Sequence, residues 1–130
     1  MKSKVEIDKF IKLMVQIDKI LAEFVELSKK KPDNVLNVFK LQLVNTVLRI
    51  SNEILDKENK PFPDFEEFGD EAIPSNSDVV MILSQYVACL DKFRRENTKR
   101  NDDADLVWVI KGKLSRVNAP DPRYSILSNR

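Results

Sequence analysis

From Ser77 to Arg100 the chain reads SDVVMILSQYVACLDKFRRENTKR, with Val79, Leu83, Tyr86, Leu90 and Phe93 spaced alternately four and three residues apart. At about 3.6 residues per helical turn these side chains fall in one stripe, widened by Val80, Ile82 and Val87. A stripe this long is stable in water only when something covers it, so the rest of the chain has to supply the cover. Two glycines among 130 residues leave few of the turn positions that a strand-rich chain uses. Helices are therefore the expected cover.

The other segments fit that expectation. A first helix is predicted over 3–31, opened by Ser3 and Glu6 at the spacing of a capping box. Ile7, Phe10, Met14, Ile17, Leu21 and Phe24 form its stripe, and Ile11, Leu13, Ile20, Val25 and Leu27 broaden it beyond a coiled-coil seam. Lys29, Lys30 and Lys31 suit the negative end of the helix dipole, and Pro32 ends the helix. A second helix is predicted over 34–57 with Asp33 as its cap. It carries two apolar stripes, one through Leu36, Phe39, Leu43, Val47, Ile50 and Ile54, the other through Leu41, Val44, Leu48 and Leu55. Two apolar faces call for two neighbours. Gln42, Asn45, Arg49, Asn52, Glu53 and Asp56 form the strip expected to face water.

Residues 58–76 hold three prolines, Gly69 and the phenylalanines Phe62, Phe65 and Phe68. They read as a long ordered loop that crosses an end of the bundle with its rings tucked in. After the third helix, 77–100, and a polar turn, the last helix is predicted over 103–117 with Leu106, Val107, Ile110, Leu114 and Val117 on one face. The β-branched run and Gly112 also fit a short strand and turn. Residues 118–130 form an irregular tail anchored by Tyr124, Ile126 and Leu127. The expected architecture is one all-α domain over 1–130, an antiparallel four-helix bundle with a long ordered loop between helices 2 and 3.

The residue inventory argues against most chemistry. There is no histidine, which removes Ser-His-Asp and Cys-His catalysis and the common zinc and di-iron ligand sets. Gly69 and Gly112 lie too far apart for a phosphate-binding loop. Cys89, on the flank of the third helix with no histidine to activate it, reads as a small structural hydrophobe. Glu66, Glu67, Asp70 and Glu71 would present two carboxylate pairs to a divalent cation if the loop turned helically. With no second acidic set to complete such a site, no metal and no cofactor are expected. Asp18 is a charge inside the apolar stripe of the first helix, so it needs a partner, for which Arg94 is the expected cation, or it marks a polar ligand pocket.

Charge and length bound the partners. Lys and Arg number 22 against 21 Asp and Glu, which gives no bulk attraction to nucleic acid or anionic lipid. The longest apolar runs, Val79–Leu83 and Leu106–Ile110, cannot span a bilayer, and acids and lysines break the first residues before a secretory signal can form. A cytoplasmic protein is expected. Between residues 61 and 78 there are six acids and no base, whereas Lys92, Arg94, Arg95, Lys99 and Arg100 put a basic end on the third helix. That end, with the tail, supports nucleic-acid association as an alternative function, disfavoured by the acids interleaved with every basic cluster. On a helix Trp108 would project away from the core, either as an exposed anchor for a partner or covered by the tail at Tyr124. The two broadly apolar helices exceed what a small bundle can bury, leaving a strip for a homodimer or a protein partner. The expected function is a non-catalytic protein–protein interaction module, an adaptor, regulatory or assembly subunit, with Trp108, Tyr124, Phe62, Phe65 and Phe68 as contact candidates. A carboxylate–metal enzyme at 66–71 is the weaker alternative.

Overall fold

A computed structural model describes residues 1–120 of the chain. Three helices, α1 (Lys4–Lys30), α2 (Val38–Ile54) and α3 (Asn76–Glu96), precede an antiparallel meander of β1 (Thr98–Arg100), β2 (Leu106–Ile110) and β3 (Lys113–Asn118), in sheet order β1-β2-β3. The fold is α+β, which corrects the expected all-α four-helix bundle. The segment read as a fourth helix over 103–117 is β2, a two-residue turn and most of β3.

The physical reason lies in Lys111 and Gly112, which take φ of 51° and 79°. Two successive left-handed residues make the hairpin turn whose twist matches its flanking strands, and they join Ile110 directly to its cross-strand partner Lys113. Val107, Val109 and Ile110 are β-branched and favour the pleated surface over a helix. The register shifts between Val107 and Val109. The third helix also stops earlier than predicted. Asn97 caps α3, its side chain donating to the Phe93 carbonyl at 2.8 Å and its carbonyl accepting from Val109 N at 2.8 Å. Thr98, Lys99 and Arg100 then pair with Trp108, Val107 and Leu106 as β1.

Helix starts follow local chemistry. Ser3 accepts from the Glu6 amide at 3.2 Å, and Ser75 with Asp78 makes a full capping box on α3. On α2 the cap is Asn37, which accepts from Lys40 N at 2.8 Å, rather than Asp33. The residues ahead of Asn37 are taken up elsewhere. Leu36 N donates to the Pro74 carbonyl, Asn76 N to that of Asn34 and Ser77 N to that of Pro32, around a bridge between Val35 and Ser75.

α1 and α3 form the main helix pair. Ile7, Ile17, Val79, Leu83, Tyr86 and Leu90 are fully buried there, and the predicted α1 stripe from Ile7 to Phe24 is buried throughout. α2 adds Val44 and Leu48 from its second stripe. Trp108 closes the end of the core, edge-on to Phe10 with centroids 5.4 Å apart. No described helix is long and apolar enough to cross a membrane.

The polar strip of α2 does not simply face water. Asn45 exchanges two hydrogen bonds of 2.9 Å with the backbone of Phe68, Arg49 pairs with Glu67 at 3.2 Å, and Asn52 donates to the Glu66 carbonyl at 2.8 Å. Rungs at positions 45, 49 and 52 thus meet residues 68, 67 and 66, and the long loop runs back along the helix that precedes it. Phe62, Phe65 and Phe68 stack in edge-to-face contacts beside Tyr86, whose hydroxyl donates to Asn52 Oδ1 at 2.8 Å.

Candidate functional site

The consequence of replacing a fourth helix by a sheet is seen on α2. The sheet lies beyond the end of α3 and packs toward α1 through Trp108, so α2 packs mainly on α1 and α3. One α2 stripe is buried, and so are Leu36 and Val47 of the other, but between them Phe39 is 68% exposed and Leu43 43% exposed. Beside them is a recess of about 300 Å³ between α1 and α2, walled by Ile20, Phe24 and Leu27 from α1 and by Phe39 and Leu43 from α2. Glu23 from α1 and Lys40 from α2 stand on its two walls. Neither side chain makes an ion pair among the described residues. Val35 and Val38, also exposed, extend the apolar surface around the start of α2. A projecting ring beside an apolar recess can bind another protein surface.

A second, smaller cavity of about 220 Å³ opens between α1 and α3. Phe10, Ile11, Met14 and Val15 form its apolar wall, Trp108 lines it from β2, and Asp18, Asp91 and Arg94 are its charged residues, with Lys19 and Pro120 at its border. Asp91 and Arg94 are buried together, Arg94 Nη2 donating to Asp91 Oδ1 at 2.8 Å and Nη1 to the Pro120 carbonyl at 3.3 Å. Arg95 Nε adds a second cation to Asp91 at 3.4 Å. The cation expected opposite Asp18 is therefore neutralised by a carboxylate one turn back on its own helix. Asp18 is half-buried on the wall of the same cavity. The indole N–H of Trp108 is buried without a hydrogen-bond acceptor among the described residues.

The remaining predicted residues scatter. Trp108 is fully buried, which removes it as a surface anchor: helical geometry would have turned it outward, whereas on β2 it packs inward on Phe10. Phe62, Phe65 and Phe68 are half-buried in the loop's own aromatic stack. Tyr124 lies outside the described residues. Of the basic set, Arg94 is withdrawn into the core, Arg95 pairs with Asp91, and Lys92 lies 3.8 Å from Glu96. Lys99 and Arg100 sit on β1 rather than on the helix end, with Arg100 donating to the Ala104 carbonyl at 3.1 Å. The acidic loop is not helical at 66–71, so its carboxylates do not align in pairs; Glu66 turns to Lys60 at 2.6 Å and Glu67 to Arg49. Among the described residues no group of three His, Cys, Asp or Glu side chains is placed to hold a metal ion. Burial pushes the Cys89 thiol up, against the reactive thiolate.

Phe39 and Leu43 belong to one of the two α2 stripes legible in the sequence, but nothing in its spacing marks them as the two positions left exposed. No protein-family model, curated protein or solved structure matches the chain.

Proposed function

We propose that the chain is a cytosolic, non-catalytic protein-interaction module that binds through the α1/α2 face. The observation that carries this reading is the exposed Phe39–Leu43 ridge beside the recess lined by Ile20, Phe24 and Leu27. An aromatic ring left two-thirds in water next to an apolar recess is the composition of an interface centre, and the charges at its edge are those of a rim.

The test is capture from a nuclease-treated lysate of the source cells with the full chain, wild type beside Phe39→Asp. The substitution is benign to the fold: position 39 is exposed and lies in the first turn of α2, where a carboxylate favours the helix dipole. A stoichiometric protein, a second copy of the chain included, that is retained by the wild type and lost by Phe39→Asp is the expected result. Recovery of nucleic acid instead, or equal capture by both forms, overturns the reading.

A further inference from the structure

We infer that the occupant of the α1/α2 face is a second copy of this chain, docked about a two-fold axis running along the recess; this rests on the interaction reading and names its partner. The chain presents both halves of the contact side by side. Phe39 and Leu43 project from α2, and Ile20, Phe24 and Leu27 line the recess from α1. An axis along the recess lays α1 of one copy over α2 of the other, so each ridge packs on the α1 wall of the other copy's recess and the contact closes on itself.

The charges agree with that placement. Glu23 stands on the α1 wall and Lys40 on the α2 wall, and no ion pair joins either to another described residue. The same rotation brings Glu23 of each copy to Lys40 of the other, giving two symmetric rim pairs. The net charge of +1 sets up little long-range repulsion between copies. The apolar surface that α1 and α3 leave uncovered on α2, at Phe39 and Leu43, is covered by the other molecule. The contact is confined to this ridge and recess, so the dimer is expected to dissociate on dilution.

The experiment is sedimentation equilibrium of the full chain over a wide concentration range, with far-ultraviolet circular dichroism to confirm each variant's fold. Wild type is expected as a monomer–dimer equilibrium and Phe39→Asp as a monomer. Glu23→Lys puts two lysines at each rim contact and Lys40→Glu two glutamates, so each variant alone should dimerise about tenfold more weakly or worse. Mixed one to one they should recover the wild-type association, because every rim contact then joins opposite charges. That recovery is specific to the two-fold placement; a change in fold stability does not produce it. Failure of the mixture to recover, species growing past the dimer, or a dimer indifferent to Phe39→Asp overturns the inference. A wild type that stays monomeric overturns it too. If Phe39→Asp then still abolishes capture of another protein, the interaction reading stands with a different partner; if capture is unaffected, both readings fall.

Discussion

The buried pair of Asp91 and Arg94 gives the sharpest stability prediction. Both side chains are at least nine-tenths removed from water, and Arg94 Nη2 lies 2.8 Å from Asp91 Oδ1. In Asp91→Ala the guanidinium keeps only the Pro120 carbonyl, at 3.3 Å, as an acceptor among the described residues. An uncompensated buried charge of this kind costs about 3–5 kcal/mol. For a domain of this size each kcal/mol moves Tm by roughly 3–5 °C, so the variant should melt about 10–20 °C lower. Replacing both partners, Asp91→Leu with Arg94→Met, removes the charge together with its counter-ion and should return to within about 1 kcal/mol of wild type or exceed it. Urea unfolding followed by circular dichroism measures the global effect, and the single tryptophan, Trp108 on the same cavity, reports the local one. If Asp91→Ala costs less than about 1 kcal/mol, water reaches Arg94 and the pair is not a buried one.

Asn45→Ala removes both bonds to the Phe68 backbone and should cost about 1–2 kcal/mol, with faster amide exchange at Phe68 as the local sign. Burial raises the Tyr86 pKa above its ordinary value. The folded state then holds the phenolic proton more tightly than the unfolded one, so this contribution is intact below about pH 10 and is lost as pH rises above it. Unfolding free energies across that range should fall more steeply for wild type than for Tyr86→Phe. Gly112→Ala meets no neighbouring atom but forces a side chain to φ of 79°, which should cost about 1–2 kcal/mol. Lys111→Asn, better suited to φ of 51°, should gain a few tenths of a kcal/mol in thermal melts.

Periodicity carried the helices because their burial is long and one-sided. The α1 stripe and the Val79–Leu90 run are buried as their spacing requires. Leu106–Ile110 is too short for periodicity to separate strand from helix, and the deciding signal was the Lys111–Gly112 turn that follows it. The error propagated to Trp108, whose direction depends wholly on which period is assumed. On α2 the polar strip was legible but its use was not: Asn45, Arg49 and Asn52 bond to a loop between 14 and 23 residues further on, and no helical wheel reveals a non-local acceptor. Arg94 and Asp91 are three apart on one helix, a spacing that allows their pair, but only the packing of α1, α3 and β2 shows that it is buried. The exposure of Phe39 and Leu43 depends on where α1 and α3 cover α2, which spacing along α2 alone does not show.

The bonds between residues 32–36 and 74–77 have a consequence for how the molecule opens. They pinch the chain where α2 leaves α1 and where α3 begins, so Leu36 to Pro74 is a closed excursion whose two ends meet. Asn45, Arg49 and Asn52 tie the outgoing and returning halves of that excursion to each other. α2 and its loop are therefore expected to open together, once Val44 and Leu48 leave the core they share with α1 and α3. In native-state hydrogen exchange their amides should share one opening free energy, lower than that of the α1–α3 core.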